Sequence, residues 1–200
     1  MTAQRTTMKA RNADDTTFEF REPLAERKMK NLILYIATKC AGHKRFGTVK
    51  LNKNLFFSDM VAYAVLGSPI TGVEYLALDA GPAPRRMPAI KEEMIEGRQI
   101  AEQVLEAPGG YTEKKVVATA EPDLSLFSAA EIAIVDTVIE ATRRKTASDV
   151  SFMSHGLPWR IGRKATGSIP YEAILVSNRR PNEYQVARGR ELIEKYGWGA

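Results

Sequence analysis

The sequence predicts a mainly α, α+β fold: a single compact helical domain with a small antiparallel β-sheet or hairpin. Several segments repeat apolar residues at the three- and four-residue spacing of one helix face. Two shorter apolar runs, at 73–80 and 113–120, are typical of strands. Neither an internal repeat nor a long linker divides the 200 residues, and one domain of this length buries about 70% of its extended-chain surface.

The first helix is predicted to begin near Pro23, since proline is favoured at the first position of a helix. Residues 1–20 lack periodic apolar side chains, so we expect a flexible tail ahead of a domain at 21–200. The helix has one apolar face, formed by Met29, Leu32, Ile33, Ile36 and Cys40. A cysteine on such a face is expected to be a buried structural thiol rather than a nucleophile.

A second helix is predicted from Thr48, as its N-cap, to Gly67, as the residue that ends it. One face of this helix carries Leu51, Leu55, Asp59, Ala62 and Leu66, so a carboxylate interrupts an apolar stripe. A buried carboxylate needs hydrogen-bond donors. For Asp59 we expect these from helix N-termini, a tyrosine hydroxyl or the Trp159 indole.

The strand at 73–80 follows and is predicted to end at the turn Gly81-Pro82. Proline has no backbone N–H to donate to a neighbouring strand. Pro84 and Pro88 therefore predict that no strand returns immediately after the turn.

A third helix is predicted to start at Pro88 and to extend through Val104. The sequence Pro-Gly-Gly at 108–110 would end it. The second strand, at 113–120, is predicted to pair antiparallel with the strand at 73–80.

The pattern Ser128-Ala-Ala-Glu131 is a capping box, which predicts the start of a helix that reaches Lys145. Ser148 is predicted to cap a short helix after it. A basic, glycine-containing loop is expected at 160–167, and a last helix at 182–196.

Two blocks of this sequence resemble one known family. The first block contains Lys50-Leu-x-Lys53-x-Leu-Phe-Phe-x-Asp59, Pro69-Ile-Thr-Gly72, Glu74-Tyr75 and Gly81-Pro82-x-Pro84. The second runs from Ala147 to Trp159 and includes the pairs Ser154-His155 and Pro158-Trp159. In these motifs and in their order the chain is similar to the Panacea domain, also called the SocA-like antitoxin domain, over about residues 30–159. The chain departs from the family pattern at Asn54 and at Asp79-Ala80.

The resemblance implies a prokaryotic or phage antitoxin of a toxin–antitoxin system, which neutralises a cognate protein toxin by direct binding and is not an enzyme. A variant is an adaptor that passes this toxin to a protease. No catalytic, cofactor-binding or metal-binding residues are implied. The family-motif framework comprises Lys50, Leu51, Asp59, Tyr75, Gly81, Pro82, His155 and Trp159. The candidate partner-binding residues flank the two blocks and are Arg85, Arg86, Arg160 and Arg163.

The distribution of charge supports an alternative function. The net charge is +5, and residues 143–200 carry 11 Lys/Arg against 5 Asp/Glu, which gives +6 there and −1 for residues 1–142. A basic segment of this kind fits nucleic acid or an acidic protein, so the alternative is a nucleic-acid-binding regulator. The sequence contains no recognition-helix motif or aromatic stacking platform, and specific nucleic-acid binding is therefore not expected.

A further alternative is a hydrolase that uses His155 and Asp59, with Ser154 as the nucleophile. Adjacent side chains usually diverge, so Ser154 and His155 make a poor nucleophile and base. The structural alternative is a histidine and a carboxylate bonded to backbone groups at helix ends. The remaining histidine, His43, is expected on the surface.

The cellular location is predicted from what the sequence lacks. One cysteine permits no intrachain disulfide. The N-terminal residues contain no apolar core of a signal peptide, and no run approaches the ~20 apolar residues of a membrane helix. These features indicate a cytoplasmic protein without a membrane partner.

Overall fold

The computed structural model describes residues 24–43, 45–107, 111–176 and 182–196. Within these ranges, seven α-helices and two small antiparallel sheets confirm the mainly α, α+β fold class. The tail predicted at residues 1–20 lies outside the described residues. No helix in the described ranges is long and apolar enough to cross a membrane.

Helix α1 (Ala25–Lys39) buries the apolar face that its spacing predicts. Cys40 follows it directly and is buried as well. Burial raises the pKa of the Cys40 thiol to about 11, so the thiol stays protonated at neutral pH and is a weak nucleophile.

Helix α2 (Thr48–Leu66) begins at the residue that was predicted to cap it, one position earlier than expected. Gly47 is the N-cap, and the Thr48 hydroxyl donates instead to the Lys114 carbonyl at 3.0 Å. The predicted N-cap role of Thr48 is therefore wrong, because another segment of the chain accepts from its hydroxyl. Gly67 ends the helix as predicted, with φ +80° in the left-handed region that favours glycine.

A three-stranded antiparallel sheet has the order β2-β1-β5. Its strands are β1 (Tyr75–Leu78), β2 (Gly81–Pro84) and β5 (Ser168–Ile169). In the β1–β2 hairpin, the end residues Tyr75 and Pro84 face each other, and Leu78 faces Gly81. The short strand β5 pairs with the other edge of β1.

The prediction that Pro84 and Pro88 prevent an immediate return strand is wrong, because β2 is an edge strand. The Arg85 N–H donates to the Glu74 carbonyl at 2.8 Å, so alternate N–H groups on this segment point toward β1. Pro82 and Pro84 occupy the intervening positions, where the missing N–H would face away from the sheet. Pro88 lies beyond the strand.

Helix α3 (Met87–Glu96) starts one residue before the predicted Pro88 and ends at Gly97. The prediction that it continues through Val104 is wrong, because the chain turns at Arg98, whose φ of +53° is incompatible with a right-handed helix. The following residues form β3 (Ile100–Ala107). The four-residue spacing from Ile100 to Val104 fits a helix, but these residues belong to the strand.

The strand predicted at 113–120 is confirmed as β4 (Tyr111–Ala118). Its predicted pairing with 73–80 is wrong, since β4 pairs antiparallel with β3 along all eight residues. The two strands lie on either side of residues 108–110, which are outside the described residues. A hairpin between sequence neighbours requires a shorter loop than the predicted pairing.

Helix α4 (Ala129–Arg143) starts at the predicted capping box. The Glu131 N–H donates to the Ser128 hydroxyl at 3.2 Å, and the Ser128 N–H donates to the Glu131 carboxylate at 2.7 Å. A short 3₁₀ helix at Leu124–Leu126 precedes it.

Helix α5 (Ala147–Ser154) is capped by Thr146, so the predicted cap at Ser148 is wrong. Thr146 and Asp149 form a second capping box: the Asp149 N–H donates to the Thr146 hydroxyl at 3.1 Å. Ser148 already lies inside the first turn of the helix.

The loop predicted at 160–167 is also wrong over its first half, where helix α6 (Leu157–Lys164) extends to Lys164. Gly156 is its N-cap and Pro158 lies in its first turn, a position that proline favours. The last predicted helix is confirmed as α7 (Glu183–Tyr196).

Helix α2 lies between two apolar clusters and contributes to both of them. The larger cluster packs α2 against α1, α3, α4 and the β3–β4 hairpin. The smaller one consists of Phe56, Met60, Tyr75, Ala77, Ile169 and Tyr171. Because both sides of α2 are covered, its polar side chains are enclosed as well.

Candidate functional site

The centre of the candidate site is a group of polar side chains on α2 that are almost fully buried. They are Lys50, Lys53, Asn54, Ser58 and Asp59. Burying such groups costs several kcal/mol unless each finds hydrogen-bond partners. Four of the five find partners outside α2 and so bind distant parts of the chain to this helix. The exception is the buried Ser58 hydroxyl, which has no hydrogen-bond partner within the described residues.

Asp59 accepts hydrogen bonds from two residues that lie after α2. The Thr71 N–H donates to Oδ1 at 2.7 Å, the Thr71 hydroxyl donates to Oδ2, and the Tyr75 hydroxyl donates to Oδ2 at 2.7 Å. Burial raises the pKa of Asp59 above its ordinary value, and the bonds from Thr71 and Tyr75 act in the opposite direction. The expected tyrosine donor is confirmed, whereas the expected donor Trp159 bonds elsewhere.

Lys53 binds the β1–β2 turn to α2. Its Nζ donates to the Pro82 carbonyl at 2.8 Å, and burial lowers the pKa of Lys53 to about 8. Gly81 leaves room for this contact: a Cβ there would lie 2.6 Å from the Ser154 hydroxyl oxygen and 2.9 Å from Lys53 Nζ. With φ +89°, Gly81 also has a backbone conformation that side chains disfavour.

Lys50 and Asn54 connect α2 to the end of α4. Lys50 Nζ donates to the carbonyls of Arg143 at 3.3 Å and Lys145 at 3.0 Å, which are among the unpaired carbonyls at the end of a helix. The Thr142 hydroxyl donates to Asn54 Oδ1 at 2.8 Å. Asn54 departs from the family pattern, and this bond gives its side chain a buried partner.

His155 and Trp159 hold the end of α5 and the start of α6 against strand β1. The His155 ring nitrogens lie 2.6 Å from the Ser151 carbonyl and 3.1 Å from the Asp79 carbonyl. The Trp159 indole N–H donates to the Leu78 carbonyl at 2.8 Å. The two rings meet edge to face, with centroids 4.3 Å apart.

The residues of the hydrolase alternative have separate hydrogen-bond partners. Asp59 is bonded to Thr71 and Tyr75, and His155 faces backbone carbonyls. The Ser154 hydroxyl donates to the Ser151 carbonyl at 2.6 Å. The structure thus shows no Ser-His-Asp hydrogen-bond chain among these three groups. Across the described ranges, no cluster of His, Cys, Asp or Glu is suited to a metal ion.

Three of the four candidate arginines pair with carboxylates of this chain, and two of them, Arg85 and Arg86, follow strand β2. Arg85 binds both carboxylate oxygens of Glu74, at 2.5 and 2.9 Å. Arg86 pairs with Glu26 and lies 3.6 Å from Glu93. A partner that binds these guanidinium groups must compete with intramolecular ion pairs.

The other two candidates lie on α6. Arg163 pairs with Asp79 at 2.8 Å, and its guanidinium lies 5.7 Å from the centre of the Trp159 ring. Arg160 is exposed and forms no ion pair with the described part of the chain. Arg160 and Arg163 therefore differ in their availability to a partner.

An exposed apolar pair on α5 was not predicted from the sequence. Phe152 is 82% exposed, the highest value of any large apolar side chain in the described residues, and Met153 beside it is 44% exposed. Val150 and Ser154, four residues apart, form the buried face of α5. Helical spacing from these two positions places Phe152 on the opposite face, and this signal was present in the sequence.

Comparison with known families gives a match over the middle of this chain. The model of the family described as "Antitoxin SocA-like, Panacea domain" matches residues 51–160. That range is more than half of the chain and includes the Asp59 site, the β1–β2 hairpin and α5. A comparison with curated proteins gave no match.

Proposed function

We propose a function for this chain from the premise that it belongs to the antitoxin SocA-like, Panacea domain family. It neutralises a cognate toxin, encoded by a neighbouring gene, by direct protein–protein binding in the cytoplasm. Family membership supports an antitoxin role and is the observation that carries the proposal. A binder without catalytic turnover acts stoichiometrically, so the amount of toxin that is neutralised is proportional to the amount of antitoxin present.

The family-motif residues support the contact surface and do not form it. Asp59 and Tyr75 are fully buried, and Lys50 and Gly81 are enclosed by other elements. A partner cannot reach such groups without opening the fold. Their role in this proposal is to hold α5 and the β1–β2 hairpin rigidly against α2.

The contact surface includes Phe152 and Met153, together with the exposed Arg160 on the following helix. Aromatic and arginine side chains on a rigid support are the commonest anchors of protein interfaces. Hydrogen bonds from the Ser151 hydroxyl to the Ala80 carbonyl at 2.9 Å and from the Trp159 indole fix α5 and α6 beside β1. An interface of ordinary size, about 1,200–2,000 Å² in total, extends well beyond these side chains.

Co-expression with the neighbouring gene tests the proposal. That gene should be toxic alone and harmless with the antitoxin, and the two proteins should co-purify at a fixed ratio. Phe152→Ala should weaken the complex about thirtyfold or more, since truncated hot-spot residues cost at least about 2 kcal/mol. Tyr184→Ala is the matched control: it is 78% exposed and lies outside the family match.

The melting temperature of Phe152→Ala should equal that of the parent, because the ring contributes little to the folded core. A harmless neighbouring gene, or rescue at substoichiometric antitoxin without association, contradicts direct neutralisation. Equal weakening by Tyr184→Ala places the interface elsewhere.

The adaptor variant of this function makes a separate prediction. An adaptor shortens the lifetime of the toxin in cells, whereas a blocking antitoxin leaves toxin levels unchanged or raised. A pulse-chase measurement of the toxin, with and without the antitoxin, separates the two.

A further inference from the structure

We propose that an open cavity at the end of α4 binds an acidic segment of the protein partner. The cavity has a volume of about 380 Å³ and is lined by Gly42, His43, Arg45, Arg143 and Arg144. This inference rests on the proposed function, because it names a second contact for the same toxin. None of these residues was among the arginines that the sequence motifs pointed to.

The fold builds this cavity from the loop between α1 and α2 and the last residues of α4. Lys50, buried beneath it, donates to the carbonyls of Arg143 and Lys145. The carbonyl end of a helix carries partial negative charge, which opposes the binding of an anion. The Lys50 ammonium compensates for that charge and fixes the backbone on which Arg143 and Arg144 are placed.

The cavity has an excess of positive charge. Burial lowers the pKa of His43, and the positive charges of Arg143, Lys50 and Lys115 lower it further, against the opposing effect of Glu140. The imidazole therefore lies in a region of positive potential. Such a region attracts anionic groups and raises their rate of association.

The acidic side chains near the cavity already have partners within this chain. Glu140 pairs with Arg143, one of the lining residues, at 3.4 Å, which leaves Arg45 and Arg144 as the arginines of the lining without such a pair in the described residues. The Asp149 carboxylate accepts from the Thr146 N–H at 3.0 Å and from its hydroxyl at 2.7 Å. Arg45 is exposed and close enough for its charge to lower the pKa of Asp149, but it forms no ion pair with the described residues.

Arg45 and Arg144 thus differ from most arginines near the family motifs. Arg85, Arg86 and Arg163 each pair with a carboxylate of this chain. Arg144, like Arg45, is exposed and has no ion pair within the described ranges. A guanidinium that is not yet paired binds an incoming carboxylate without first giving up another, so its net contribution to binding is larger.

The residues that line the cavity also favour one class of anion. The volume of the cavity lies in the range of ligand pockets and accommodates more than one side chain of a partner. The lining contains no phenylalanine, tyrosine or tryptophan on which a base would stack. Two carboxylates of an acidic peptide segment fit this chemistry better than a nucleotide or a single-stranded nucleic acid.

The test measures affinity for the toxin by calorimetry at low and high salt. Arg45→Glu should weaken binding about tenfold or more and reduce its dependence on salt, as expected when a charge contact is lost. Arg98→Glu is the matched control, since Arg98 is also exposed, forms no ion pair with the described residues and lies on the turn after α3. Arg144→Gln removes a charge without placing a carboxylate at a helix end, and should weaken binding in the same direction.

A second titration with the full chain separates failure of this inference from failure of the proposed function. The probes are a hexaglutamate peptide, inorganic pyrophosphate and a single-stranded oligonucleotide. The peptide should bind saturably to the parent and to Arg98→Glu, but not to Arg45→Glu.

If the parent binds the toxin and the Arg45 and Arg144 variants bind it equally well, this inference is wrong and the proposed function stands. If the parent does not bind the toxin, the proposed function fails, and the peptide titration decides whether the cavity binds acidic segments. Tighter binding of the oligonucleotide or pyrophosphate than of the peptide, or binding that Arg45→Glu leaves unchanged, overturns the inference.

Discussion

Removing a single hydroxyl group tests how the fold accommodates the buried carboxylate of Asp59. Tyr75→Phe deletes the oxygen that donates to Asp59 Oδ2 at 2.7 Å and leaves the ring in place. Tyr75 is fully buried, so water cannot replace the lost donor without opening the core. Thr71 remains the donor of two hydrogen bonds to Asp59.

The loss is expected to be about 1.5–3 kcal/mol in the free energy of unfolding, the range for a hydrogen bond to a charged group. Tyr171→Phe is the matched control, since Tyr171 is 2% exposed and its hydroxyl donates to the Val73 carbonyl at 2.6 Å. That acceptor is neutral, so the control should lose about 0.5–1.5 kcal/mol. Urea denaturation of the three proteins at pH 7 measures the difference.

The penalty of Tyr75→Phe should also depend on pH. Burial raises the folded-state pKa of Asp59 above its value in the unfolded chain, so the stability contribution of Asp59 is fully present below about pH 4 and is lost as pH rises through the folded pKa. Removing the Tyr75 donor raises that folded pKa further. The penalty should therefore be largest above the folded pKa and shrink as pH falls toward 4.

The Tyr171→Phe penalty should stay constant over the same pH range, because the Val73 carbonyl that accepts from its hydroxyl does not titrate. Equal losses for the two variants at pH 7 would refute the reasoning. A Tyr75→Phe penalty that does not change with pH would show that Asp59 is not charged in the folded protein.

Three further measurements test other contacts of the core. Gly81→Ala should lower the free energy of unfolding by about 2–3 kcal/mol, and Gly67→Ala by about 1 kcal/mol. Both glycines have positive φ, but of the two only Gly81 has a neighbour that an added Cβ would meet, the Ser154 hydroxyl oxygen at 2.6 Å. Cys40 should react with iodoacetamide at pH 8 only after unfolding, because burial raises its pKa to about 11; rapid labelling of the native protein contradicts this. Burial lowers the pKa of Lys53 from 10.5 to about 8. The contribution of Lys53 to the free energy of unfolding is therefore present above pH 10.5 and lost as pH falls through about 8. Stability of the parent should rise across that window more steeply than stability of Lys53→Met.

Helices α1, α2 and α4 were the most predictable part of the fold, because their apolar spacing and several of their ends are local signals. The caps expected at Thr48 and Ser148 were each displaced, so the local signal does not fix every helix end. The capping box at Ser128 and the ending of α2 at Gly67 are determined by residues within one turn of the helix end. Strand β2 was not predictable in this way. Whether Pro84 is tolerated depends on which side of the strand remains unpaired, and that is a property of the sheet rather than of the sequence nearby.

The need of Asp59 for buried donors was predictable from the sequence, whereas the burial of Lys50 and Lys53 was not. A carboxylate on an apolar stripe is conspicuous, whereas Lys50 and Lys53 look like ordinary solvated lysines in the sequence. Their burial becomes apparent only when the carbonyls of Pro82 and Lys145 are brought to them by other elements. A lysine with backbone carbonyl partners has no signature within its own helix.

The location of the family motifs bears on how partners are chosen. Asp59, Tyr75 and Lys53 are enclosed between α2 and the elements they bind. Under the proposed function, they support the fold and do not distinguish one toxin from another. Discrimination between partners requires groups that a partner can reach. We therefore infer that substitutions at Phe152 or Arg45 change which toxin is bound, while substitutions at Asp59 reduce rescue from every toxin together by lowering the amount of folded antitoxin.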